Sequence, residues 1–108
     1  MPTFMTSFVY DSEGWRKLCK HPEDRSVPIK ALLDKLGGRF VSLYYMAGDY
    51  DGFVVYEAPD AKAAAAVAIV AGMAGHIKSV KTSQLFTVAE TMEVMGQAGA
   101  LSFPAPKG

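Results

Sequence analysis

The chain lacks three features that would each point to a particular class of function. It has one cysteine, Cys19, in 108 residues, which excludes a disulfide within the chain. Its 11 basic and 11 acidic residues cancel, so it has no excess of positive charge with which to bind nucleic acid or anionic lipid, and we expect neither partner. Its most apolar stretch, residues 61–74, is shorter than the ~20 residues that span a bilayer. We therefore expect no membrane segment.

The amino terminus also lacks the basic segment and long apolar core of a secretory signal, so the expected compartment is the cytoplasm. Hydrophobic residues make up 50% of the chain, which is high for a small domain with a large surface relative to its volume. A second copy of the chain is expected to cover part of this apolar surface. The sequence therefore predicts a homo-oligomer, either a dimer or a larger assembly.

A short polar segment at residues 47–52, with the sequence Ala-Gly-Asp-Tyr-Asp-Gly, joins two apolar runs at residues 40–46 and 53–56. Glycine and aspartate tolerate the positive φ that tight reversals require, so the segment predicts a β-hairpin turn. We expect Gly52 to have a positive φ and the two joined strands to lie at the centre of a sheet.

Residue patterns predict the other elements in chain order: a strand at residues 3–10, a helix from residue 12 that is interrupted at 21–25 and resumes to residue 36, a strand at 39–46, a strand at 52–57, an alanine-rich helix after Asp60, a strand at 76–86 and a helix after Thr87. The order β-α-β-β-α-β with an added C-terminal helix is the split βαβ arrangement. We expect the alanine-rich helix to be buried. Cys19 shares a helical face with Trp15 and Leu18, and is expected to be a small buried hydrophobe.

Residues 48–51 (Gly-Asp-Tyr-Asp), the β run at 52–56 and residues 57–60 (Glu-Ala-Pro-Asp) together resemble the signature of the GYD domain family. The resemblance extends to the opening Met-Pro-Thr and to residues 36–38 (Leu-Gly-Gly) before the second strand. It implies a ferredoxin-like α+β domain with an antiparallel four-stranded sheet, which pairs through its sheets as in dimeric α+β barrels. It implies no established chemistry.

The resemblance divides the chain into two parts. Residues 1–95 form the ferredoxin-like, GYD-type domain, and residues 96–108 form a tail rich in glycine, alanine and proline. We expect such a composition at the end of a domain rather than within its core.

Six residues are candidates for a ligand-binding site because they are aromatic, or polar and able to orient a ligand: Trp15, His21, Tyr44, Asp49, Tyr50 and His76. Aromatic side chains suit a pocket for a flat ligand, although they equally suit core and interface packing. The two histidines lack the spacing of metal ligands, so we predict no metal and no cofactor.

Two classes of function remain open. The first is an oligomerising module that binds a small apolar or aromatic molecule. The alternative is a cofactor-independent enzyme, monooxygenase-like or isomerase-like, with a pocket between sheet and helices. The sequence names neither a substrate nor a catalytic residue, so it does not decide whether the protein is an enzyme.

Overall fold

The computed structural model describes residues 1–108 and contains four strands and four helices. In chain order they are β1 (Thr3–Tyr10), α1 (Ser12–Lys20), α2 (Ser26–Lys35), β2 (Arg39–Tyr45), β3 (Gly52–Glu57), α3 (Ala61–Met73), β4 (Ile77–Leu85) and α4 (Val88–Gly99). The strands form one antiparallel sheet in the order β2-β3-β1-β4. The predicted ferredoxin-like α+β fold with an added C-terminal helix is therefore confirmed.

Side chains just before three of the helices bind the free backbone amides of the first turn. The Asp11 carboxylate accepts a hydrogen bond from the Gly14 amide at 2.7 Å, and the Asp60 carboxylate accepts one from the Ala63 amide at 2.9 Å. At α4, Thr87 and Glu90 form the reciprocal capping box that their spacing predicts. These caps fix where each helix begins.

The turn between β2 and β3 does not join two central strands, as the sequence had indicated. β1 lies between β3 and β4 and pairs with both, which leaves β2 at one edge of the sheet. The expectation that both joined strands are central is wrong for β2. In the split βαβ arrangement, the first strand enters the middle of the sheet beside the third.

Gly52 is needed for a different reason from the one that the turn pattern suggests. No residue of the turn has a positive φ, and Gly52 is the buried first residue of β3. A Cβ atom built there would lie 2.7 Å from the Phe8 Cζ atom and 2.7 Å from the Tyr44 carbonyl oxygen. Close packing of neighbouring strands therefore excludes a side chain at this position.

One face of the sheet, here called the helix face, carries α2 and α3. Alternate residues of the central strands point to it, and Tyr56 from β3 and Leu33 from α2 are almost completely buried there. The core cluster consists of Phe4, Leu33, Val54, Tyr56, Ala58, Ala64 and Val67. Buried apolar area of this kind supplies most of the stability of a small domain.

The opposite face of the sheet is here called the open face, because α2 and α3 both pack on the helix face. The strand register places these residues on it: Met5, Ser7, Val9, Ser42, Tyr44, Phe53, Val55, Lys81 and Ser83. The Tyr44 and Phe53 rings stack at 5.8 Å, and Tyr44 is 62% exposed. The open face is thus partly apolar.

Residues 88–108, here called the C-terminal arm, comprise α4 and the irregular segment after it. α4 has no buried residue, although Val88, Met92 and Met95 are apolar and spaced to share one side of the helix. The helix ends at Gly99, so the predicted domain boundary at residues 95 and 96 lies within it. The arm extends away from the rest of the fold, and the radius of gyration is 17.4 Å, against about 13 Å for a compact chain of this length.

Two burial expectations are wrong. Cys19 is exposed, because α1 approaches the sheet through Gly14, its only buried residue. In α3 only Ala64 and Val67 are buried, while Ile69 and Met73 on the outer side are exposed. A uniformly apolar helix gives no sequence signal for which side faces the sheet.

No helix combines the length and the hydrophobicity that a membrane-spanning segment requires.

Candidate functional site

An apolar cavity of about 220 Å³, here called the chamber, lies between the helix face of the sheet and helices α2 and α3. Its strand side is formed by Thr6, Phe8, Tyr10, Val54, Ile77 and Val80, and its helix side by Arg25, Pro28, Ile29, Leu32, Val67, Val70, Ala71 and Ala74. Alanine faces it at Ala71 in α3 and at Ala74, the residue that follows the helix. Because these side chains are short, the helix leaves space above the sheet.

A second, polar cavity of about 480 Å³, here called the vestibule, adjoins the chamber at Tyr10 and Arg25, which line both. Its other lining residues are Gly14, Lys17, Leu18, Lys20, His21, Glu23 and His76. The vestibule therefore brings together the only two histidines of the chain, which are far apart in sequence.

Gly14 lets α1 pack directly against His76, which precedes β4. The Asp11 amide donates a hydrogen bond to the His76 carbonyl oxygen at 3.0 Å. A Cβ atom at Gly14 would lie 3.0 Å from both the Cβ atom and the carbonyl oxygen of His76. Glycine at this position thus sets the distance between α1 and the sheet, and with it the width of the vestibule.

The His76 ring lies between a carboxylate and an ammonium group. Its Nδ1 atom is buried without a hydrogen-bond partner and lies 3.6 Å from the Asp11 carboxylate. Its Nε2 atom lies 3.4 Å from the Lys17 Nζ atom. Each ring nitrogen of His76 thus faces a side chain of opposite charge to the one that faces the other nitrogen.

Aromatic rings cluster where the vestibule meets the chamber. Tyr10 contacts Trp15 edge to face at 5.1 Å, and its hydroxyl lies 3.1 Å from the Tyr45 hydroxyl. Burial raises the pKa of the Tyr10 hydroxyl well above its ordinary value, and the hydrogen bond with Tyr45 adds to the effect. Tyr10 is therefore a neutral hydrogen-bonding group across the physiological pH range.

The Asp51 carboxylate connects this cluster to the turn between β2 and β3. Its Oδ2 atom accepts hydrogen bonds from the Tyr10 amide at 2.9 Å and from the Trp15 indole at 3.0 Å. The Asp51 amide in turn donates to the Phe8 carbonyl oxygen at 2.9 Å. Asp51 thus holds the turn, β1 and α1 in a fixed relation.

The structure brings three of the six predicted site residues together. His21 and His76 line the vestibule, and Trp15 lies beside it in the aromatic cluster. Tyr44 points to the open face, while Asp49 and Tyr50 lie in the turn and line neither cavity. No group of three or more histidine, cysteine, aspartate or glutamate side chains is placed to bind a metal ion.

Sequence reasoning missed Tyr10, Arg25 and Asp51. The alternation of β1 places Tyr10 on the same face as Phe8, so the face to which Tyr10 points was predictable from the sequence. Arg25 lies in the irregular link before α2, where no periodicity indicates a direction. Asp51 is two residues from Asp49 in the turn, and only the tertiary structure distinguishes their roles.

Comparisons with known proteins concern family and fold. A family model described as GYD domain matches residues 4–95. A search of curated proteins found no match. Among solved structures, MtbAldR superposes with a TM-score of 0.60 at 15% identity, over 80% of this chain and 53% of that one. An uncharacterized NIPSNAP-like domain protein from Burkholderia xenovorans superposes with a TM-score of 0.50 at 13% identity, over 97% of this chain and 90% of that one.

The chain spans about half the length of MtbAldR. At these low identities both likenesses concern the fold alone. They agree with the four-stranded antiparallel sheet and its helices.

Proposed function

This chain belongs to the GYD domain family, and from that premise we propose that it is a homo-oligomeric module in which each subunit binds a small apolar or aromatic molecule. The single observation that carries the proposal is the chamber, an apolar cavity of about 220 Å³ between sheet and helices. Ligand sites are typically concave and apolar with a few placed polar groups. Here the polar groups are Thr6, Tyr10 and Arg25.

The surface area of the chain supports assembly with further copies. The accessible surface is 7683 Å², whereas a compact monomer of this mass exposes about 5,800 Å². The excess of about 1,900 Å² is larger than the about 800 Å² that each partner buries in a typical stable interface. A single subunit therefore has enough surplus surface for a stable contact.

The open face and the C-terminal arm supply this surplus. Tyr44 on the open face is 62% exposed, and in the arm Leu101 and Phe103 are 73% and 94% exposed. Burying one leucine and one phenylalanine supplies roughly 3–6 kcal/mol of gross apolar stabilisation. We propose that two open faces pack together and that each arm lies across the other subunit.

The proposed compartment is the cytoplasm. Cys19 is an exposed thiol without a disulfide partner in the chain, and such a thiol persists most readily where glutathione and thioredoxin keep cysteines reduced.

Calorimetric titration with benzyl alcohol, a neutral one-ring molecule, tests the binding site. Ala71→Leu fills part of the chamber and should weaken binding at least about tenfold, since the new methyl groups occupy the ligand's space. Ala65→Leu is the matched control, because Ala65 lies on the exposed side of the same helix. Binding that is absent, or equally affected by both substitutions, would contradict the proposal.

A further inference from the structure

The charge of the vestibule differs from that of the whole chain. Lys17, Lys20 and Arg25 line it together with a single carboxylate, Glu23, so its formal charges, counted without the histidines, are three positive and one negative. The whole chain has a formal net charge of zero. A concave site with an excess of charge of one sign raises the local concentration of the opposite ion. The vestibule therefore favours an anion.

Arg25 is placed to contact a ligand that occupies both cavities, because it lines each of them. Its Nη1 group donates to the Glu23 carboxylate at 2.6 Å, and the other N–H groups of the guanidinium have no hydrogen-bond partner. The contact with Glu23 shows that a carboxylate fits this side chain. The planar fork of arginine matches a carboxylate particularly well.

The Asp11 carboxylate, which lies near the vestibule, already has a hydrogen-bond partner. Asp11 faces His76 from outside the vestibule lining, and its carboxylate caps α1 through the Gly14 amide. Lys17 contacts the Nε2 atom of His76 and has no carboxylate partner among the ion pairs of the structure. An anion beside Arg25 would thus meet a second cation that no protein carboxylate neutralises.

We propose that the ligand is a small amphipathic carboxylic acid, with its apolar body in the chamber and its carboxylate in the vestibule at Arg25 and Lys17. The inference rests on the proposed function and adds the chemical class of the ligand. The chamber is smaller than the about 300–1,000 Å³ of sites for drug-sized molecules. Its occupant is accordingly a single ring or a short alkyl chain.

Calorimetric titrations with hexanoate and with 1-hexanol test the proposal on the full chain at neutral pH. The two probes share the alkyl chain and differ in charge. Hexanoate should bind at least about tenfold more tightly, since hydrogen bonds to charged groups contribute more than neutral ones. The preference should shrink as salt is added, because the vestibule is open to solvent.

Substitutions of Arg25 and Lys17 test where the carboxylate of hexanoate binds. Arg25→Gln should weaken the binding of hexanoate far more than that of 1-hexanol, and so remove most of the preference for hexanoate. Circular dichroism shows whether the variant is folded. Arg16→Gln is the matched control, because Arg16 also pairs with a glutamate, Glu13, but lines neither cavity. Lys17→Gln should lower the preference by a smaller factor. If Arg25→Gln fails to fold, the effect of Lys17→Gln alone tests where the carboxylate binds.

Each outcome separates this inference from the proposed function. If both probes bind equally, or if Arg25→Gln and Lys17→Gln leave the preference intact, the carboxylate assignment is overturned and the apolar site stands. If neither probe binds, the carboxylic acid proposal fails, and the titration with benzyl alcohol then decides the proposed function by itself.

Discussion

The indole of Trp15 donates a hydrogen bond to the Asp51 carboxylate at 3.0 Å, across 36 positions of the chain. The same carboxylate oxygen accepts the Tyr10 amide at 2.9 Å. One acidic residue of the turn therefore positions α1 over the sheet. Because α1 forms a wall of the vestibule, the geometry of the candidate site depends on this contact.

Asp51→Ala should destabilise the protein by about 1–2 kcal/mol, since it leaves the Tyr10 amide and the Trp15 indole without their acceptor. Asp49→Ala, two residues away at an exposed position, should change the free energy of unfolding by less than about 0.5 kcal/mol. Urea denaturation followed by Trp15 fluorescence measures both. Equal losses of unfolding free energy in the two variants would mean that the hydrogen bonds of the Asp51 carboxylate contribute nothing to stability.

Gly52→Ala should destabilise the protein by about 1–3 kcal/mol, because the new Cβ atom meets the Tyr44 carbonyl oxygen, which cannot move without breaking the sheet. Gly48→Ala is the control, since nothing lies within 4 Å of a Cβ atom there. Thermal unfolding of both variants gives the comparison. Similar melting temperatures would show that β2 and β3 leave room for a Cβ atom at position 52.

Local sequence signals determine most of this fold. The predicted strand at residues 3–10 and the predicted helix starts at residue 12, after Asp60 and after Thr87 each depend on neighbouring residues alone, and all four agree with the structure. The errors occur where long-range packing decides. The edge position of β2 depends on where β1 inserts, and the exposure of Cys19 depends on how close α1 approaches His76.

The candidate site was less predictable, because two cavities are formed by residues from separate elements. Trp15, His21 and His76 were identified by residue type and prove to be neighbours of the vestibule. Tyr44 was identified by the same criterion and points to the open face instead. A one-residue shift along a strand reverses the face, so residue type alone cannot assign a side chain to a cavity.

Sedimentation velocity at micromolar concentration should show a species of at least twice the 11.6 kDa chain mass. Tyr44→Glu should shift the protein towards monomer, since a charge on the open face would be buried without a partner in the proposed assembly. Val27→Glu is the control, because Val27 on α2 is also 62% exposed but lies away from the open face. A monomeric unsubstituted chain would refute the assembly.

The raised pKa of Tyr10 makes stability depend on alkaline pH. As the pH rises through about 10, the unfolded chain loses this proton first while the folded chain retains it, so the free energy of unfolding falls. Tyr10→Phe should lose less stability between about pH 9 and 11 than the unsubstituted chain. Urea denaturation at several pH values gives the slope, with Tyr44→Phe as the control at an exposed site. An unchanged slope in Tyr10→Phe would contradict the burial of its hydroxyl.

The location of the ligand is tested most directly by methyl NMR spectra recorded during titration with benzyl alcohol. The proposed site predicts saturable shifts at the methyl groups that line the chamber, in particular those of Ile29, Val54 and Ala71. The methyl groups of Val55 on the open face and Met92 in the arm should stay unchanged. Shifts confined to Val55 or Met92, or no saturable shift at all, would show that the chamber is not a binding site.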